Sequence, residues 1–191
     1  MKLILASSSP FRRELLARLM IPFEVAVPDV DETPLPGEAP PALVERLAIA
    51  KARAIATQHP DALVIGSDQV AVHEGVIVGK PLTHERAVAQ LRQASGKAVV
   101  LHTGLALVNS ASGRVQSEVV PYRVVFRTLT DAQIENYLNK EQPYNCAGSV
   151  KSEGLGVALL ERFEGEDPAT LIGLPLIRLV RMLETEGVAV L

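Results

Sequence analysis

The chain has 191 residues, 48% of them hydrophobic and 21% charged, with a net charge of −3 at pH 7. One domain spanning residues 1–191 is expected, large enough to bury a core without a metal or disulfide staple, and the lone Cys146 excludes an internal disulfide framework. Balanced charge, 4% aromatics and no Trp speak against a nucleic-acid partner. No apolar run approaches the ~20 residues that span a bilayer, so no membrane partner is expected either. Arg12 and Arg13 come too early for a signal-peptide core, and the expected location is the cytoplasm.

In chain order, Leu3–Ala6 reads as a short buried strand that opens into Ser7-Ser8-Ser9-Pro10-Phe11-Arg12-Arg13. Three hydroxyls offer helix N-caps, and Pro10 suits the first turn of a helix reaching about Leu19. A helix N-terminus with two adjacent arginines suits an anion, and an ordinary capped helix is the equally weighted alternative. Phe23–Val27 reads as a strand, and the acidic, proline-rich 29–41 as a loop. Ala42–Thr57 carries Leu43, Leu47, Ala50 and Ala54 at helical spacing. Ala62–Val72 is almost continuously apolar, as in a strand buried on both faces. Glu74-Gly75 turns it into a hairpin with Val76–Val78. Thr83 caps a helix to about Gln93, and Ala98–Asn109 and Val115–Arg127 form a second hairpin. Thr130–Asn139 reads as a helix, Val157–Phe163 as a strand and Pro175–Glu184 as the last helix. Helices and strands alternate, yet the hairpins exclude a pure doubly wound array, so a mixed α/β sheet is expected.

Asp68 is the outstanding carboxylate, placed by the pattern at a strand's end on the sheet edge. There it either caps a turn or does chemistry, and the resumption of the apolar run at Val70 favours chemistry. Gly79-Lys80-Pro81 resembles the tail of a phosphate loop but fails as one, because Pro81 stands where a magnesium-binding hydroxyl belongs. Lys51 is either a snorkelling lysine or a phosphate ligand. Asp29, Asp31 and Glu32 could serve a hard cation, although a solvated acidic loop is the stronger reading of those residues alone. His59, His73, His84 and His102 show no zinc spacing.

Taken in order, Ala-Ser-Ser-Ser-Pro-Phe-Arg-Arg (6–13), Val-Asp-Glu (30–32), Leu-Ala-Ile-Ala-Lys-Ala (47–52), Gly-Ser-Asp-Gln (66–69), Gly-Lys-Pro (79–81), His-Thr-Gly (102–104), Ala-Gly-Ser (147–149), Ser-Glu-Gly (152–154) and Gly-Leu-Pro (173–175) resemble the Maf family of nucleoside triphosphate pyrophosphatases. The resemblance covers essentially the whole chain. It implies an elongated mixed sheet with flanking helices, related to the inosine triphosphate pyrophosphatases, with a cleft between two lobes. It also implies hydrolysis between the α and β phosphates, with a small-molecule nucleotide as substrate and a divalent cation (Mg²⁺, Mn²⁺ or Co²⁺) as cofactor. By resemblance Asp68 takes the proton-acceptor position. Ser7, Arg12, Arg13, Lys51 and Lys80 take phosphate-contacting positions, and Glu32, with Asp68, the metal-site acids. The sequence leaves the oligomeric state open, a homodimer included.

Three positions depart from the commonest pattern: Phe11 for an arginine, Gln69 for a threonine and Glu153 for a glutamine. Together they resemble the subgroup acting on 7-methyl-GTP. N7-methylated guanine is a cationic base, which an acid such as Glu153 and a ring such as Phe11 would suit. The alternatives are a broader enzyme for dTTP, UTP or non-standard purine triphosphates, and a nucleotide-binding regulator of cell division.

Overall fold

The structure, a computed structural model, describes residues 1–191. Six helices and seven strands follow in the order β1 (Lys2–Ala6), α1 (Pro10–Ala17), β2 (Glu24–Ala26), α2 (Pro40–Ala56), β3 (Ala62–His73), β4 (Val76–Val78), α3 (His84–Ala94), β5 (Ala98–Asn109), β6 (Val115–Phe126), α4 (Asp131–Glu141), β7 (Leu160–Glu164), α5 (Pro168–Ile172) and α6 (Leu176–Thr185). The strands hydrogen-bond in the order β2-β1-β3-β5-β6-β7, with β4 paired to β3. β1 runs parallel to β2 and β3, while β4 and β7 run antiparallel to β3 and β6. This is the mixed α/β sheet expected from the sequence.

The chain divides into two compact units, with three of the four divisions falling inside β3, β5 and β6 and the fourth between β7 and α5. The first comprises residues 1–69, 102–120 and 167–191. Its central strands β1, β3 and β5 are buried on both faces, and alternation of side chains sorts them. Leu3, Leu5, Leu63, Ile65, Leu105 and Leu107 pack with Leu15 and Leu16 of α1 and Leu179 and Leu183 of α6. Ile4, Ala6, Val64, Ala106 and Val108 pack on the other side with Ala48, Ala52 and Ile55 of α2. That two-sided burial is why the β3 sequence reads as an unbroken apolar run.

The second unit comprises residues 70–101 and 121–166. Its helices start on capping hydroxyls. Thr83 accepts from the Arg86 N–H, and Thr130 forms a reciprocal capping box with Gln133. Glu74 and Gly75 both adopt positive φ, as a two-residue hairpin loop requires.

Two expectations need correction. Residues 155–159 form a 3₁₀ turn, so β7 starts at Leu160 and not at Val157. The Leu155 N–H is drawn to the Glu141 carboxylate at 2.7 Å, which takes the segment out of extended conformation. α5 was not anticipated, because five residues are too few to show a helical period.

Candidate active site

The last registered pair between the parallel strands β1 and β3 is Ala6 with Gly66. The chain therefore leaves β1 where β3 carries on through Ser67, Asp68 and Gln69. Sites in such sheets open at the carboxyl ends of strands. Asp68 is thus not at a strand end on the sheet edge, as the sequence suggested. It lies inside β3, between β1 and β5 in the sheet order, and the strand that ends beside it is β1.

The turn after β1 is built from its own hydroxyls. The Ser7 N–H donates to the Ala26 carbonyl at 3.0 Å, and the buried Ser7 Oγ accepts from the Ser9 N–H at 3.1 Å. Ser9 caps α1 by accepting from the Arg12 N–H, with Pro10 as first helical residue. Phe11 is 47% exposed, and Arg13 is exposed. Arg12 is held differently: its Nε–H donates to the Gly173 carbonyl at 2.8 Å, whereas Nη1 and Nη2 have no partner in the protein. Burial lowers the pKa of Arg12, and the fields of Asp68 and Glu32 oppose that shift. It stays a cation, as arginine does throughout the biological pH range.

Alternation along β3 gives its neighbouring side chains opposite directions. Gly66 and Asp68 meet α2. A Cβ on Gly66 would overlap the Ala48 carbonyl oxygen, so glycine is what lets α2 lie directly on the strand. Lys51 follows from that approach, buried on α2 with its ammonium 2.7 Å from Asp68 Oδ1 and 2.7 Å from Glu32 Oε1. Glu32 arrives from the acidic loop, which a bidentate Arg46–Glu38 pair (2.6 and 2.8 Å) fastens to α2. The Arg46 Nη2 also donates to the Thr33 carbonyl at 3.2 Å. Asp31 is turned into its own loop, accepting from the Thr33 N–H at 2.9 Å.

Ser67 and Gln69 point the other way, to α5. Ser67 Oγ lies 2.9 Å from both the Gly104 and Gly173 carbonyls. Gln69 Nε2 donates to Thr103 Oγ1 and to the Thr170 carbonyl, each at 2.7 Å. The sequence assigned no role to Ser67, Thr103 and Gly173, although they lie in the Gly-Ser-Asp-Gln, His-Thr-Gly and Gly-Leu-Pro stretches, and Thr170 was passed over. A signal was present all the same: Asp167-Pro168 is a cap followed by a first-turn proline, and Gly173 is a helix-ending glycine.

Glu32 and Asp68 converge on one cationic group. Two carboxylates, with water and phosphate oxygens completing the shell, are how Mg²⁺ is commonly held. The donor set therefore fits a hard divalent cation.

Lys80 and Glu153 belong to the second unit, and both are exposed. The Gly79 carbonyl accepts from the Gly148 N–H at 3.3 Å and from Gln90 Nε2 at 3.0 Å, which ties the Lys80 turn to residues 147–149. Burial pushes the Cys146 thiol pKa up; Glu153 adds to the rise, while Lys151 and Lys80 oppose it. Tyr137 donates to the Ser149 carbonyl and accepts from the Lys151 N–H, both at 3.1 Å.

An α/β sheet whose parallel strand ends in a capped, arginine-bearing turn beside paired carboxylates is an arrangement suited to a phosphate-bearing ligand. The chain belongs to the family of Maf-like proteins, whose family model matches residues 2–186. It is 63% identical over 187 residues to the 7-methyl-GTP pyrophosphatase of Polaromonas sp. (strain JS666), covering 98% of this chain and 85% of that one. The 7-methyl-GTP pyrophosphatase of Nitrosococcus oceani is 60% identical over 189 residues, 99% of this chain and 95% of its own. Among solved structures, the Staphylococcus aureus Ham1 protein matches 66% of this chain and 72% of its own at 15% identity, with a TM-score of 0.47.

Proposed function

We propose that this chain hydrolyses 7-methyl-GTP to 7-methyl-GMP and diphosphate, by attack of water on the α-phosphorus. The observation that carries the reaction class is the meeting of Asp68 and Glu32 on the Lys51 ammonium, with the two Arg12 amino groups that lack a hydrogen-bond partner in the field of the same acids; the choice of base is supported by the likeness to the 7-methyl-GTP pyrophosphatases.

Each residue then has a task. Arg12 offers a planar, bidentate donor pair to phosphate oxygens, already anchored through Nε. Lys51 has three N–H donors, two of them used by the acids, and the third serves a phosphate oxygen. Ser7 shapes the turn, and Arg13 and Lys80 add charge against the polyphosphate. Asp68 accepts the proton of the attacking water. Glu32 and Asp68 would hold a divalent cation, Mg²⁺, Mn²⁺ or Co²⁺, which would supply charge neutralisation and acidify the attacking water. Phe11 and Glu153 are assigned to selection of the methylated base, whereas Gln69, expected there from the sequence, has its amide engaged by Thr103 and the Thr170 carbonyl and holds β3 to α5 instead. No helix is long and apolar enough to cross a membrane, and one half-buried cysteine suits the reducing cytoplasm.

The test is diphosphate release across a panel of 7-methyl-GTP, GTP, dTTP, UTP and inosine triphosphate, with each metal. The expected result is strong preference for 7-methyl-GTP, with turnover in Asp68→Asn reduced at least ~10²-fold. Preference for dTTP or UTP would replace the substrate assignment and leave the reaction class standing. Binding without turnover under every metal would point instead to a regulator.

A further inference from the structure

We propose that Ser67 and the Gly173 carbonyl are positioning groups that fix Arg12 relative to Asp68. The inference rests on Arg12 being a phosphate ligand in the reaction above.

Gly173 ends α5 with φ at 118°, a conformation that L side chains rarely adopt. Its carbonyl oxygen accepts the Arg12 Nε–H at 2.8 Å and lies 2.9 Å from Ser67 Oγ. A Cβ on Gly173 would press on the guanidinium, 3.3 Å from Arg12 Nε, so the bare Cα backs the arginine closely. Ser67 is fully buried and adjoins Asp68 in sequence. One carbonyl thereby links the strand that carries the proton acceptor to the arginine that grips phosphate.

The support behind that carbonyl is itself rigid. Asp167 Oδ1 accepts from the Ala169 N–H at 2.9 Å, and Oδ2 accepts from the Ile177 N–H at 2.8 Å, which joins the starts of α5 and α6. The Thr170 carbonyl, one turn before Gly173, takes Gln69 Nε2 at 2.7 Å and Thr103 Oγ1 at 3.2 Å. Ser67 and Gln69 thus pin β3 to α5 on either side of Asp68, and Arg12 reads its position from the same short helix. Holding reactant and catalytic group in register is where such scaffolds act on rate, and displacements near 1 Å cost up to ~10²-fold.

The experiment is a double-mutant cycle on the full chain with Ser67→Ala and Arg12→Ala, scored by kcat and KM on whichever triphosphate the wild type turns over. Ser67→Ala is expected to lower kcat ~10- to 100-fold, with a smaller change in KM. It is expected to add little once Arg12 is gone, because the two act through one another. Ser67→Cys, which keeps a weak donor, should fall between wild type and Ser67→Ala, and it serves as the probe if the alanine variant does not fold. Calorimetric binding of inorganic pyrophosphate gives a second readout that needs no turnover: Ser67→Ala should weaken it only while Arg12 is present. Wild-type kinetics in both Ser67 variants, or penalties that simply multiply with Arg12→Ala, would overturn the proposal. Absence of 7-methyl-GTP turnover in the wild type would instead remove the substrate assignment and leave the pyrophosphate cycle to judge Ser67.

Discussion

A single serine, Ser67, shows how unevenly side chains announce themselves. Arg12, Lys51 and Asp68 stand out in sequence because a charge in an apolar setting demands an explanation. Ser67 does not, since a hydroxyl inside a strand satisfies itself on nearby carbonyls and leaves the hydrophobic pattern intact. The same holds for Thr103, fully buried, whose Oγ1 donates to the Thr170 carbonyl; Thr170 takes part only through that carbonyl, its own Oγ1 being buried without a hydrogen-bond partner. Lys51 was legible as a buried-leaning lysine, but its contact with Asp68 joins residues 17 apart in sequence and needed the packing of α2 to appear. For specificity the residue-scale prediction concerns Phe11 and Glu153. The double change Phe11→Arg and Glu153→Gln should shift the kcat/KM ratio of 7-methyl-GTP to GTP by at least ~10-fold towards the uncharged base, measured side by side; an unchanged ratio removes these two from base selection.

Among the elements, α2 matters most to the site, because it delivers Lys51. Its approach depends on Gly66 and Gly104, where a Cβ would collide with the Ala48 and Val44 carbonyl oxygens respectively. Gly66→Ala should therefore destabilise by roughly 1–3 kcal/mol, as overpacking does, and lower the melting temperature by ~2–4 °C per kcal/mol. Activity should fall by more than the folded fraction explains, since the displaced helix carries Lys51. A melting curve with parallel kinetics decides it. Helices and strands were largely legible from periodicity and caps, as at Thr83 and Thr130. α5 escaped because its length is set by two end groups, Asp167 and Gly173, and not by an apolar stripe.

For the whole molecule, the pattern of ionisation sets the response to pH. Glu38 is drawn down to about 2, chiefly by its hydrogen bond with Arg46. Asp131, Glu141 and Glu164 are also lowered, by hydrogen bonds to Arg92, to the Leu155 N–H and to Arg123 respectively. A lowered carboxyl stabilises above its unfolded pKa and loses that contribution as pH falls through its folded value. Stability should hold through neutral pH and decline below about pH 4.5, with the Arg46–Glu38 strap releasing near pH 2. In the alkaline range, burial pushes Tyr137 up to about 12, so its share persists to about pH 10 and is lost between 10 and 12. Melting temperature against pH checks both arms. A Tyr137→Phe variant should lack the part of the alkaline decline that belongs to this phenol.

Lys51 also bears on the resting enzyme, between encounters with substrate. Its ammonium already neutralises the two acids that a divalent ion would use, so a free ion must compete with an internal, tethered rival. A triphosphate changes that contest by giving the ammonium an alternative counter-charge. Metal should consequently bind the nucleotide-loaded protein far more readily than the empty one. Replacing the rival makes this measurable. Lys51→Met should melt lower than wild type without metal, because two carboxylates lose their partner, and regain part of the deficit when Mg²⁺ is added without nucleotide. A melting point indifferent to Mg²⁺ would show that the acids do not form a cation site.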